Sequence, residues 1–346
     1  MRSLRTKKRD SVADRSYRFK NLDIDKGVVH EMKLKKIKRN IRAGFRYAFD
    51  PNYRFVFNSS QTHKYDKLPD EEFLTKKYKA TLHRTLNLES PETYTEKIQW
   101  LKLFDRRPEY TVMVDKCAAK DYVAAKIGEQ YIIPTLGVWD DPDDIDFDYL
   151  PEKFVIKCNH NSGLGMYICR DKSAMNVAKI KSELKKGLAQ DYYLTGREWP
   201  YKNVARRIIA EKYMEDSTYQ ELRDYKFFTF AGVPKVLYIA QGRGKGGPTV
   251  ADFFDMDYHH LPFTIDHDMA DTPPPKPACF DEMKRLAAIL SEGTPQLRVD
   301  FYEVDGHVYF GEMTFFHCSG FEAFHPEEWD KTFGDWIVLP PKRTED

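Results

Sequence analysis

No stretch of this 346-residue sequence approaches the roughly 18 consecutive apolar residues of a membrane span, so the chain is not expected to cross a bilayer. Nor does an apolar segment follow the basic residues of the N-terminus, as a secretory signal would require, and the cytosol is the expected compartment. Cysteine is scarce. Cys117, Cys158, Cys169, Cys279 and Cys318 form no C-x-x-C pair and leave an odd one over, which speaks against a disulfide framework and against structural zinc. Internal repeats are lacking too. What is present is a globular composition, 41 % apolar and 14 % aromatic, in a chain long enough for two or three lobes.

Charge is nearly balanced in total but unevenly spread. Residues 1–46 hold 16 of the 55 Lys and Arg and only 5 of the 54 Asp and Glu, which leaves 39 basic and 49 acidic groups to the rest. The result is a basic arm on a mildly acidic body. Residues 29–48 set apolar Met32, Leu34, Ile37, Ile41, Phe45 and Tyr47 among seven basic residues, a loosely amphipathic pattern suited to an anionic membrane face. A solvated tail is the plainer alternative. Nucleic acid is not an expected partner.

Ser90-Pro91 reads as a cap followed by proline at the first helical position, opening a helix with Tyr94, Ile98, Leu101 and Phe104 on one stripe. A second helix is predicted over 114–127, stopped by Gly128, and a third through Met283, Leu286, Ala287 and Leu290 to Gly293. Strand signals occupy 154–158, 207–210, 225–230, 236–240, 297–304 and 307–314. Helices and strands mix without strict alternation, so an α+β arrangement is expected rather than a doubly wound sheet.

Three stretches carry chemistry. In Phe154-Val155-Ile156-Lys157-Cys158-Asn159-His160-Asn161-Ser162-Gly163-Leu164-Gly165 an apolar strand runs into a small, glycine-bearing loop. Glycines let backbone amides approach a phosphate, and Lys157 sets a positive charge beside it. The stretch is neither a Walker loop nor a Rossmann fingerprint, and alone it is also the pattern of an ordinary turn. Ile208-Ile209-Ala210-Glu211-Lys212-Tyr213-Met214 offers a purine a flat apolar slot with edge hydrogen bonds, or else is a solvated strand end.

The third stretch, 297–314, is a hairpin around Asp305-Gly306. A two-residue loop would put Asp300 and Glu312 on opposite faces, where they share no ion. A three-residue loop from Val304 to Gly306, with Gly306 left-handed, would set Arg298 directly opposite Glu312 and Asp300 diagonally on the same face. Such an oxygen-only pair suits Mg²⁺, whereas a surface hairpin with an Arg–Glu pair is the bland alternative.

Taken in order, Asp115-Lys116, Lys157 with its glycine loop, Glu211-Lys212-Tyr213-Met214, Lys226, Arg298-x-Asp300 and Glu312 resemble the ATP-grasp superfamily. More narrowly, ESPETYTEKIQWLKLFDR, VDKCAAKDYVAAKIG, FVIKCNHNSG, REWPYKN, DYKFFTFAG and RVDFYEVDGHVYFGEMTFFHCSGF resemble its TupA-like branch, associated with teichuronopeptide and other surface-polysaccharide synthesis, over about residues 87–338. The resemblance implies an α+β ATP-grasp fold that holds the nucleotide between two lobes. Together with the charge distribution, which sets off a basic arm over 1–50, it suggests a helical lobe over 51–135, a small lobe with the phosphate-covering loop over 136–215 and a large lobe with the metal-binding hairpin over 216–338.

The resemblance also implies roles. Lys116 and Lys157 would contact ATP phosphates under a loop that includes Asn159, Ser162, Gly163 and Gly165. Glu211 and the backbone at Lys212, Tyr213 and Met214 would read adenine, and Lys226 would face the γ-phosphate. Asp300 and Glu312 would bind Mg²⁺, and Arg298 would hold the acyl phosphate. Many ATP-grasp enzymes place Asn two residues after the second acid; Thr314 stands there in this chain. For the acceptor side, Arg197, Trp199, Lys202, Asn203, Arg243, His317 and Ser319 are candidates, since cations and an aromatic suit a uronate ring. Cys318 has no evident His–acid support as a nucleophile.

The expected function is an ATP-dependent carboxylate–amine ligase acting in surface-polysaccharide synthesis, with an amine or amino acid and a carboxylate such as a uronic acid as substrates. A glycosyltransferase in the same pathway is the main alternative, for which Asp255-Met256-Asp257, on an apolar–acidic run, is a D-x-D match. A degenerate nucleotide-binding scaffold is the other, opposed by intact Lys157, Asp300 and Glu312.

Overall fold

The computed structural model describes residues 44–217, 222–242 and 249–343, so most of the basic arm and the acceptor candidate Arg243 lie outside the described residues. The chain divides into two compact units, 1–54 and 55–346. In the first, the Asp50 carboxylate accepts the backbone N–H of Asn52 and Tyr53 at 2.9 and 3.0 Å, capping the start of α1 (Pro51–Gln61).

The second unit carries the rest. After α2 (Asp70–Leu82), α3 (Tyr94–Phe104) starts later than Ser90-Pro91 suggests. Its end is closed by a capping box in which Thr93 accepts the Glu96 N–H and Glu96 accepts that of Thr93, a reciprocal arrangement that proline cannot enter. The expected 114–127 helix starts later, as α5 (Ala118–Ile127), and Val114 instead ends a separate helix, α4 (Glu109–Val114). The break is at Asp115, whose Oδ1 accepts the Cys117 N–H at 2.8 Å and the Asn159 side-chain amide at 2.7 Å. Gly128, at φ +112°, ends α5 as expected.

The small sheet contains β1 (Thr135–Trp139), β2 (Phe154–Cys158), β3 (Met166–Cys169) and, after α6 (Val177–Ala189), β4 (Ile208–Lys212), all antiparallel in the order β1-β4-β2-β3. Strand alternation gives it two different faces. Phe154, Ile156, Cys158, Ile208 and Ala210 bury against Ile180 and Leu184 of α6, while Val155, Lys157, Ile209 and Glu211 look the other way.

The large sheet contains β5 (Asp224–Phe230), β6 (Val233–Gln241), β7 (Val250–Phe254), β8 (His260–Leu261) and, after α7 (Phe280–Leu290), β9 (Gln296–Val304) and β10 (His307–Thr314). Its order is β10-β9-β5-β6-β7-β8, again antiparallel. Helices cover both faces of β5, so this strand is buried along its whole length. Phe227 meets Phe280 of α7 with ring centroids 5.9 Å apart, and on the opposite face Phe228 and Phe230 meet Phe333 of α8 (Glu328–Trp336) at 5.7 and 5.6 Å.

The β9–β10 hairpin corrects the expected loop. Val304 pairs with His307, so the loop has two residues, Asp305 and Gly306, both left-handed at φ +51° and +77°. That is the Asp-Gly turn whose twist matches the strands it joins. Taken alone it would part the two acids, but the register shifts by one between Phe310 and Glu312, and Asp300 stands directly opposite Glu312. Arg298 is opposite Thr314 rather than Glu312. The extra residue is Gly311, where a Cβ would lie 3.1 Å from both the Asp300 carbonyl oxygen and the Tyr302 ring. A Gly306→Ala variant should lose about 1–2 kcal/mol in urea unfolding, because alanine must hold the left-handed conformation although its Cβ would meet open space.

Candidate active site

Four strands of the large sheet bring one row of side chains to the same face. Tyr238 of β6 pairs with Lys226 of β5, Lys226 with Asp300 of β9, and Asp300 with Glu312 of β10. Lys226 donates to Asp300 Oδ2 and lies 3.5 Å from Asp224. Arg298 grips Asp300 with two donors, Nε to Oδ1 at 2.7 Å and Nη2 to Oδ2 at 2.8 Å. Nη2 also reaches Glu312 Oε1 and Thr314 Oγ1 at 3.0 Å each, so Thr314 orients the arginine–glutamate pair. Asp300 is 1 % exposed, whereas the Glu312 side chain is 41 % exposed. Burial and Asp300 push the Glu312 carboxyl up, but Lys116, Arg298 and Lys226 together draw it below the usual carboxylate range.

His317 completes this network as a neutral ring. Arg298 Nη1 donates to its Nδ1 at 2.7 Å, the ring packs edge-on to Phe228, and burial followed by the Arg298 charge lowers its pKa to about 3. It therefore orients the guanidinium and carries no charge of its own.

On the small sheet, Glu211 sits 2.5 Å from Lys157 Nζ and 2.7 Å from Lys120 Nζ of α5. Burial pushes the Glu211 carboxyl up, but the two lysines outweigh it and bring it down to about 2. Lys116, at the break between α4 and α5, donates to the Asn161 carbonyl at 2.8 Å, and burial lowers its pKa against the pull of Glu312. The side chains of Lys157, Glu211, Tyr213 and Met214 line a cleft of about 460 Å³ that also touches Asp224 and Tyr302 of the large sheet.

The glycine loop is partly anchored. Asn159 is fully buried, giving its amide to Asp115 and the Ala205 carbonyl and accepting the Arg207 N–H, so it serves as a strut beneath Lys116. Gly165 lies against α6, where a Cβ would come within 2.8 Å of Cys158 Sγ and 3.0 Å of Gly187 Cα. Only the tip, Ser162-Gly163-Leu164, is exposed, with Gly163 at φ +83°.

A second pocket, of about 330 Å³, adjoins the charged row: Lys116, Lys226, Arg298 and Glu312 line it together with His317 and Ser319. Other acceptor candidates fall elsewhere. Arg197 has left-handed backbone at φ +54°, which turns its side chain away; it is 2 % exposed, donates to the carbonyls of Tyr65, Asp66 and Leu68, and stacks over Phe73. Trp199 is buried in packing, and Lys202 and Asn203 are exposed outside this pocket. The sequence reading passed over Glu198, between Arg197 and Trp199, although REWPYKN contains it; Tyr192, Tyr201 and Asp266 were likewise missed. Asp255-Met256-Asp257 is a turn, in which Asp255 Oδ1 accepts the N–H of Asp257 and His259.

The family described as TupA-like ATPgrasp matches residues 96–338. Among solved structures, the chain is similar to a D-alanine–D-alanine ligase from Bacillus anthracis complexed with ATP, at 16 % identity and TM-score 0.33 over 59 % of this chain and 53 % of that one. It is similar to the Helicobacter pylori D-alanine–D-alanine ligase at 14 % identity and TM-score 0.36, over 70 % and 69 %. A third is the ATP-grasp ligase PsnB with a phosphomimetic variant of its minimal precursor, Mg and ADP, at 8 % and 0.33 over 60 % and 52 %. The chain spans about half the length of the Bacillus anthracis ligase and of PsnB. No curated protein matches it.

The Glu211 ion pairs set an acid limit on stability. Because the folded carboxyl titrates below its unfolded value, the contribution, roughly 3 kcal/mol, is complete above about pH 5 and disappears as pH falls toward 2. The difference in unfolding free energy between wild type and Glu211→Gln should be constant near neutrality and shrink on acidification; a difference that holds down to about pH 3 contradicts the assignment.

Proposed function

Because this chain belongs to the TupA-like ATP-grasp family and has its α+β fold, we propose that it is an ATP-dependent ligase that activates a carboxylate as an acyl phosphate and joins it to an amine, in surface-polysaccharide synthesis. The observation that carries this reading is the row Lys226–Asp300–Glu312, closed by Arg298, whose Lys226 and Glu312 line a polar pocket while their strand neighbours Asp224, Tyr302 and Gly311 line a largely apolar cleft.

ATP would lie in the cleft, its adenine against Tyr213 and Met214 and its phosphates near Lys116, Lys157 and the Ser162–Gly163 tip. Asp300 and Glu312 suit Mg²⁺: both offer oxygen only, they are directly opposed on one face, and Glu312 is open to solvent. When bound, the ion would neutralise charge on the transferring phosphoryl group. Lys226 adds a fixed positive charge beside it. Arg298 keeps one Nη1 proton without a partner among the described residues, in a group that lines the second pocket. That proton is placed to stabilise charge developing on the acyl oxygen, and the Asp300 grip and His317 hold the guanidinium still for the purpose. The Asp255-Met256-Asp257 turn gives little support to a glycosyltransferase, since Asp255 is occupied by its own backbone.

Three measurements test the reading. Mg·ATP at about 100 times its Kd should stabilise the protein by about 2.7 kcal/mol in thermal unfolding. A response to UDP-sugars and none to Mg·ATP would overturn the ligase assignment. Turnover should be found by screening ADP release with amino acids against uronic acids, and Asp300→Asn should then lower kcat by about a hundred-fold or more while nucleotide still binds. We also propose that the basic arm recruits the enzyme to anionic membrane: deletion of residues 1–46 should abolish salt-sensitive liposome binding and spare turnover in solution.

A further inference from the structure

The lining of the second pocket combines two chemistries. Its cations, Lys116, Lys226 and Arg298, all have partners: the Asn161 carbonyl for the first, and the acids of the sheet for the others. The remaining lining includes two carboxylates, Glu198 and Asp266, and the rings of Tyr192, Tyr201 and Tyr238. Glu198 is 6 % exposed. Its Oε1 accepts the Ser319 hydroxyl, while no donor among the described residues reaches Oε2. A buried carboxylate with an open oxygen, framed by aromatic rings, is a site for a cation.

Behind this wall, Lys102 does not fill that role. Its ammonium is spent on Gln99 Oε1 and on the carbonyls of Gly196 and Ser319, at 3.0, 2.9 and 2.7 Å. Burial pushes it down to about 7 despite the neighbouring Glu198. Burial in turn raises the Glu198 carboxyl above the ordinary range, against the opposing pull of Lys102, Ser319, Lys77 and Arg298.

We infer that this pocket takes the nucleophilic amine of the proposed ligation as an ammonium ion, with Glu198 as its counter-ion and as the base that removes its proton. The inference rests on the ligase reading for its chemistry. One ammonium proton passes to Glu198 Oε2, and the freed nitrogen lone pair forms the C–N bond at the acyl carbon. The C–O bond to phosphate breaks as the tetrahedral adduct collapses, and the second nitrogen proton leaves with the phosphate. No oxidant or further reactant is needed. Arg298, which lines the same pocket, would face the anionic side of that adduct.

The binding half can be tested without turnover, on the full chain, with propylammonium chloride and propionate as probes in ligand-observed NMR in the presence of Mg·ATP. Propylammonium should bind, and Glu198→Gln should weaken it roughly thirty-fold while the thermal response to Mg·ATP, which reports that the variant is folded, is kept. Glu198→Asp should recover part of the affinity, and Ser319→Ala should cost only a few-fold. In the ADP-release assay, the acid limb of kcat/KM for the amine should lie above the ordinary carboxylate range. Lys102, Lys77, Arg298, Tyr192 and Tyr201 are the ionisable groups that set its position. Equal propylammonium binding by wild type and Glu198→Gln, or competition by propionate for the same pocket, overturns the assignment. A wild-type protein indifferent to Mg·ATP overturns the ligase reading instead, and leaves the ammonium site to stand or fall on the NMR result.

Discussion

Closure of the charge network around Asp300 governs much of the large sheet. Lys226, Arg298 and Asp300 are each less than a tenth exposed, and removing one partner from a buried pair would leave an uncompensated charge costing several kcal/mol. Most donors and acceptors nearby are therefore committed, one Arg298 Nη1 proton and the open side of Glu312 excepted. Asp224 and Asp300 share the Lys226 ammonium, Arg298 spreads over Asp300, Glu312, Thr314 and His317, and His317 must stay neutral to accept from Arg298. Only Glu312 keeps a substantial open surface, which makes it the point where the network meets a ligand.

That network needs β5, β9 and β10 in one register, and the fold secures it by packing more than by charge. Phe228 and Phe230 follow Lys226 on the same face and anchor it to Phe333, while Phe227 anchors the other face to Phe280. A slip of one residue would bury the lysine's neighbours wrongly on both faces, which is why the polar row can be held inside an apolar layer. The small sheet is built on a similar economy: Gly165 and Gly187 let the loop settle onto α6, and Asn159 ties it to Asp115 ahead of α5 and to Ala205 and Arg207 ahead of β4, so only three residues at its tip remain open to a ligand.

The second pocket links the two regions. Ser319 follows Cys318 in a left-handed pair at φ +54° and +48°, a turn that brings the Ser319 hydroxyl to Glu198 and its carbonyl to Lys102. The segments around residues 198 and 317–319 are far apart in sequence and come from elements with no shared periodicity.

The sequence by itself determined the α+β class, five of the six expected strands to within two residues at each end, the stop at Gly128 and the strand positions of Lys157 and Glu211, which line the cleft, because alternation and glycine stops are local properties. It also contained the Asp305-Gly306 turn, and the two-residue alternative drawn from it was the right loop. What it did not contain in readable form was the bulge at Gly311, since a bulge is chosen by cross-strand packing against Asp300 and Tyr302 and leaves only one glycine as its trace. Arg197 and Glu198 show the same division: their neighbouring positions look alike as a polar pair, but a left-handed backbone sends the arginine into the carbonyls of 65–68 and leaves the glutamate at the pocket. Which of two adjacent charges meets a substrate is decided by where the rest of the chain places its carbonyls and rings, and that is known only once distant segments have packed together.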